Sequence, residues 1–136
     1  MEESEFRTLL RETKKYPPRF RRDVERLSNR DPSGLGSAVK FLEADPWFFR
    51  SGYAKAEIIK LINRVDIPEQ YASRLRRVAL QIIDKGDRRE FRSYCRLAHK
   101  VYNEELREAL LLKMRDKDPG VKRRARWMFE ACEKKG

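Results

Sequence analysis

Apolar side chains recur at helical spacing along almost the whole chain, and this pattern constrains the fold more than any other feature. The clearest example lies between residues 71 and 83, where apolar residues three and four positions apart form one face of a helix: Tyr71, Leu75, Val78, Ala79, Ile82 and Ile83. No stretch shows a comparable alternation of apolar and polar residues, which would indicate a half-buried strand. The sequence therefore predicts an all-α fold.

Turn-forming residues divide the helical pattern into segments. Proline, glycine and asparagine interrupt it at several places, most clearly in "YPPR" (16–19), "RDPSGLG" (30–36) and "KDPG" (117–120). The chain has 136 residues, which is the usual size of one domain. We predict eight helices in it, near residues 3–15, 18–29, 34–44, 46–64, 68–84, 88–101, 104–116 and 119–134.

Every second predicted helix begins in the same way. "PRFRRDV" from residue 18, "PWFFRSG" from 46 and "PGVKRRA" from 119 each have a proline, an apolar residue two positions later and a small or apolar residue four positions after that. "REFRSYC" from residue 89 keeps the spacing without the proline. We expect the aligned apolar residues to be buried at equivalent places in four repeats, near 3–29, 34–64, 68–101 and 103–134: they are Phe20, Phe48, Phe91 and Val121.

A D-P turn followed by an apolar, a basic and then a small residue resembles the second helix of a HEAT repeat, and "DPGVKRRA" is the closest match. The resemblance extends over nearly the whole chain. It implies a short α-solenoid of about four antiparallel helical hairpins, in which each repeat buries its face against its neighbours. In HEAT proteins the turn Asp and an Arg or Lys early in the second helix commonly link adjacent repeats. The matching positions are Asp45, Asp87, Asp118, Arg92 and Lys122.

The basic residues exceed this structural requirement. The chain has 33 Lys and Arg against 22 Asp and Glu, a net charge of +11, and the excess is concentrated at residues 7–22, 85–100 and 111–126. Each block contains the start of a second helix, so stacked repeats would align these cations beside helix N-termini, which favour anions. We predict polyanion binding by Arg19, Arg21, Arg22, Arg88, Arg89, Arg92, Arg96, Lys122, Arg123, Arg124 and Arg126. The alternative is a solvated charged surface without a ligand.

Two tryptophans raise separate questions. Trp127 lies off the apolar stripe of its helix and one turn after Arg123, a position suited to stacking on a base, although packing against a neighbouring helix is the commoner role. Trp47 is followed by Phe48 and Phe49, so we expect it to pack in the interior.

Catalytic patterns are absent from the sequence. His99 is the only histidine, no glycine-rich phosphate loop or paired nucleophile accompanies it, and Cys95 and Cys132 form no metal-binding cluster. We therefore expect no enzymatic activity, no cofactor and no metal. Some HEAT-like proteins are DNA glycosylases, and an enzyme related to them is the less favoured alternative, because we can match no catalytic residue of theirs to a position here.

The chain also lacks the features of membrane and secreted proteins. No apolar run approaches the roughly 20 residues that span a bilayer, and "MEESEF" does not resemble a signal peptide. We expect a cytoplasmic, non-catalytic binding module whose partner is nucleic acid, held by its phosphate backbone. The competing interpretation is an adaptor that binds an acidic protein.

Overall fold

The computed structural model describes residues 17–48 and 50–134, and within these ranges it contains helices and no β-strand. The all-α prediction is therefore confirmed for this part of the chain, while the helix predicted at 3–15 lies outside it. The described helices are α1 Pro18–Ser28, α2 Leu35–Ala44, α3 Ser51–Ile62, α4 Glu69–Asp84, α5 Phe91–Lys100, α6 Glu104–Lys113 and α7 Pro119–Glu133, with a 3₁₀ turn at Pro32–Gly34.

The chain divides into two compact units between Tyr71 and Ala72, within the first turn of α4. In the N-terminal unit α1, α2 and α3 pack against one another. α1 is amphipathic and buries Phe20, Val24 and Leu27, and the Phe20 ring stacks on Phe41 with 5.3 Å between the ring centroids. One apolar face of each helix thus forms the core of this unit.

A close approach of backbone to backbone fixes the turn between α1 and α2. A Cβ atom on Gly34 would lie 2.1 Å from the backbone oxygen of Asp23, so a residue other than glycine requires the turn to move. The buried Asp23 carboxylate accepts hydrogen bonds from the Ser37 hydroxyl and from Arg26. The turn and the two helices are therefore held together by packing and by a satisfied buried charge.

The turn between α2 and α3 differs from the prediction. Asp45 adopts a left-handed conformation (φ 47°) and its Oδ1 lies 2.7 Å from the Nζ of Lys55, whose side chain is 1% exposed. A buried ammonium needs a charged partner, and Asp45 supplies it by turning back towards α3. Helix α3 begins at Ser51 and not at the proline of the D-P turn.

Two side chains in this turn also differ from expectation. Phe48 lies before α3 and is partly exposed, so only Phe20, Phe91 and Val121 of the four aligned residues are buried. Trp47 is 91% exposed and does not pack in the interior as expected.

In the C-terminal unit both α5 and α6 pack against α7. Helix α4 contributes the predicted apolar face, and Arg76 ties it to the end of α5 by donating from Nε to the carbonyl oxygen of Val101 at 2.7 Å. Asn103 caps α6 by accepting from the backbone N–H of Leu106 at 2.9 Å. The arrangement leaves one side of α5 and one side of α7 facing solvent.

The division into one domain of four repeats stays a prediction. Among the residues that the structure describes, no helix has both the length and the apolar character required to cross a membrane.

Candidate functional site

The N-terminus of α7 is capped by its own aspartate. Asp118 Oδ1 accepts from the backbone N–H groups of Gly120 at 2.8 Å and Val121 at 3.4 Å, and Pro119 occupies the first turn, where no N–H is needed. The backbone N–H of Lys122 donates to the Asp118 carbonyl. The predicted start of the helix is confirmed, but these N–H groups are already satisfied and are not available to a phosphate.

The four cations after this cap have different roles, and Arg124 is structural. Its side chain is buried, its Nε donates to the carbonyl oxygen of Ile83 at 2.8 Å, and its NH1 donates to Asp87 Oδ1 at 2.8 Å. The absence of a side chain on Gly120 leaves room for the guanidinium, since a Cβ there would lie 3.0 Å from NH1. Arg124 therefore joins α7 to the end of α4, and its guanidinium is already bound within the fold.

Arg123 lies between a carboxylate and an indole ring. Its NH2 donates to Asp87 Oδ2 at 3.0 Å, and its guanidinium carbon lies 5.4 Å from the centroid of the Trp127 ring. Hydrogen bonds from Arg124 and Arg123 hold the pKa of the Asp87 carboxyl below its usual value. Arg123 is partly exposed, but unlike a free phosphate ligand it already has an anionic partner.

Trp127 both packs and remains accessible. Its ring centroid lies 6.2 Å from that of Phe91 on α5, with the rings tilted by 58°, and the residue is still 49% exposed. Packing on one side and Arg123 on the ring hold the indole in a defined orientation. An ordered aromatic surface therefore faces solvent in the C-terminal unit.

Exposed cations without a partner lie on α5 and α7, the two helices that carry this aromatic pair. We call them the basic face, and within the described ranges none has an ion pair or side-chain hydrogen bond. Arg92 directly follows Phe91, and Arg126 directly precedes Trp127, so each helix has one cation as the chain neighbour of a ring in this aromatic pair. The basic face consists of Arg92, Arg96, Lys100, Lys122 and Arg126.

The other predicted cations are placed elsewhere. Arg88 is largely buried and its NH1 lies 3.5 Å from Glu90 Oε2, while Arg89 is exposed in the turn before α5. Arg19, Arg21 and Arg22 are exposed on α1, in the N-terminal unit. A single ridge that includes all of these residues stays a prediction.

The turn aspartates are expected from the sequence to pair with Arg92 and Lys122, but the structure gives them other partners. Asp45 pairs with Lys55, and Asp118 caps its own helix. Asp87 does bind an arginine near the start of a later second helix, but its partners are Arg123 and Arg124. The reason is helical phase, because Arg124 lies on the buried side of α7 whereas Lys122 points to solvent.

The thiols are poorly suited to nucleophilic chemistry. Burial raises the pKa of Cys95 to about 11 and that of Cys132 to about 12, so both are protonated at neutral pH. His99 is exposed on α5. Within the described ranges no group of three or more His, Cys, Asp or Glu side chains is arranged to bind a metal.

The positive charge is concentrated in the C-terminal unit. Residues 72–134 contain 18 Lys and Arg against 10 Asp and Glu, whereas residues 17–71 contain 10 against 8. Comparison of the chain with protein-family models, curated proteins and solved structures finds no match. The function must therefore be inferred from the chain's own residues.

Proposed function

We propose that this chain is a non-catalytic, HEAT-like repeat module that binds nucleic acid, and that the basic face on α5 and α7 contacts the phosphate backbone. The observation that carries the proposal is the set of five exposed cations that have no carboxylate partner in the described part of the chain. Unpaired Lys and Arg side chains on one surface attract a polyanion and release its counterions on binding. The proposed partner is nucleic acid because its regularly spaced phosphates can meet several of these cations at once.

A recurring packing pattern supports the repeat part of the proposal. In the N-terminal unit α3 packs against α2, the helix before it, and against α1; in the C-terminal unit α7 packs against α6 and against α5 in the same way. Helices α3 and α7 thus each contact both the first helix of their own hairpin and one earlier second helix of the same unit, as in stacked helical repeats. The bond from Arg124 to Asp87 adds a polar link of the kind that the HEAT resemblance implies.

The test replaces the two free cations of α7. Lys122→Ser together with Arg126→Ser should weaken binding to a 25-base-pair duplex and flatten the plot of log K against log salt by close to two units, at about 0.9 for each phosphate that is no longer neutralised. A matched control is Lys40→Ser with Arg77→Ser, which removes the same charge from exposed positions on α2 and α4. Fluorescence anisotropy at several salt concentrations measures both variants.

The control variant distinguishes binding at the basic face from general attraction by the net charge of the chain. If the two double variants lose affinity equally, binding depends on net charge and the basic face is not the site. The adaptor alternative has its own signature, because an acidic protein partner would bind in the presence of excess duplex DNA or structured RNA. Competition by either nucleic acid against a labelled poly-glutamate probe therefore distinguishes the two partner classes.

A further inference from the structure

Trp127 is an exposed aromatic residue on one of the two helices that carry the basic face. The indole is 49% exposed, and two chain neighbours of the ring pair, Arg126 beside Trp127 and Arg92 beside Phe91, have no ion pair within the described ranges. A phosphate held by these side chains brings the attached nucleotide close to the ring. Single exposed aromatic residues are common on protein surfaces, so exposure alone does not indicate a binding site.

The ring is also held in place before any ligand binds. Phe91 supports it at 6.2 Å between centroids, and Arg123 lies over it at 5.4 Å. Asp87 fixes that guanidinium through two hydrogen bonds, of 3.0 and 3.2 Å, from NH2. An ordered ring loses little conformational entropy on binding, which is the condition under which stacking contributes most to affinity.

We propose, resting on the nucleic-acid function above, that the basic face prefers unpaired nucleotides, that the part of the Trp127 ring left exposed by Phe91 and Arg123 stacks on one base, and that Arg92, Arg126 and Lys122 hold the adjacent phosphates. A duplex hides the faces of its bases within the stack, so the exposed indole has nothing to stack on there. A single strand offers every base face, and stacking on an aromatic side chain is tolerant of sequence. The chemical class of ligand is therefore a single-stranded segment of DNA or RNA.

The test uses the full chain and compares three probes: a 12-nucleotide oligothymidylate, the matching oligouridylate and a 12-base-pair duplex. Trp127→Leu keeps an apolar side chain over Phe91 but removes the ring. It should weaken binding to both single strands on the order of tenfold and change duplex affinity less than twofold. Trp47→Leu is the matched control, because Trp47 is an even more exposed tryptophan that lies in the N-terminal unit; its affinities should stay within twofold of those of the unmodified chain.

A second measurement leaves Trp127 unchanged. In a Trp47→Phe variant Trp127 is the one remaining tryptophan of the sequence, and oligothymidylate should quench its fluorescence to a saturating limit whereas the duplex should not. Equal loss of single-strand and duplex affinity in Trp127→Leu, or no quenching, would overturn the stacking proposal while the backbone-binding function stands. Failure of all three probes to bind would overturn both.

Discussion

Replacing Arg124 tests whether this arginine of α7 stabilises the fold while its exposed neighbours bind the ligand. Arg124→Met keeps most of the aliphatic stem of this buried side chain and removes its hydrogen bonds. The main effect is on the 2.8 Å bond from Nε to the Ile83 carbonyl, because that oxygen is left in the interior without its charged donor. A buried hydrogen bond with a charged partner contributes about 1.5–3 kcal/mol, and we expect the free energy of unfolding to fall by that amount.

The second bond of Arg124 should add little to this figure. Asp87 accepts from NH1 at 2.8 Å, but its carboxylate is exposed to water and keeps Arg123 as a partner. With a urea m value of about 2 kcal/mol/M, the expected decrease in stability corresponds to a decrease in the unfolding midpoint on the order of 1 M. Urea titration followed by circular dichroism at 222 nm measures this change.

Arg126→Met is the matched control on the same helix. Arg126 is exposed and has no ion-pair partner within the described ranges, so its replacement should change stability by less than about 0.5 kcal/mol. Duplex affinity at low salt should show the reverse: Arg126→Met should bind more weakly than Arg124→Met, although it is the more stable variant. Equal stability of the two proteins would refute the assignment of Arg124 as a structural link.

Three further outcomes are expected from individual side chains. Phe91→Ala should lower the free energy of unfolding by about 3–5 kcal/mol in urea titration, since the ring is 8% exposed and supports Trp127; a decrease below about 1 kcal/mol would contradict its place in the core. Asp118→Ala should cost about 1 kcal/mol by removing the cap of α7, whereas Asp118→Asn, which can still cap, should cost much less; equal costs would show that the cap does not act through its side-chain oxygen. The pKa of Asp87 is lowered in the folded state, so its stabilising effect is complete well above the unfolded value of about 3.9 and is lost as the pH falls through the folded value. Urea midpoints measured from pH 6 to pH 2.5 should therefore decrease more in the unmodified protein than in Asp87→Asn, and parallel decreases would contradict this.

The features that the sequence predicted well are those that depend on neighbouring residues alone. The apolar face of α4 follows from spacing, and the start of α7 follows from a capping aspartate and a proline that needs no donor. The start of α3 has the same D-P pair, but no helix begins at this proline, and Asp45 adopts a left-handed conformation and pairs with the buried Lys55 ten residues later. The local signal therefore did not fix the start of this helix, and Trp47 in the same turn is 91% exposed.

The structural role of Arg124 could have been recognised from the helical phase. The buried stripe of α7 includes Val121, Ala125, Met128 and Cys132, and Arg124 lies three residues after the first and four before the third of these. A charged residue in that phase needs a buried partner, which here comes from Ile83 and Asp87. Which carbonyl and which carboxylate supply it is a long-range property that one helix cannot reveal.

Helical phase also places the cations of the basic face in rows along their helices. Lys122 and Arg126 are four residues apart on one side of α7, and Arg92, Arg96 and Lys100 repeat this spacing on α5. Like charges at this spacing repel each other by about 0.2–0.5 kcal/mol per pair, so the three pairs together cost about 1 kcal/mol. Arg124, about 200° around the helix from both cations of α7, avoids this repulsion by binding in the interior. The outward cations are thus placed at a cost to the fold and without a partner in its described part, and a bound polyanion is the ligand that would relieve the repulsion between them.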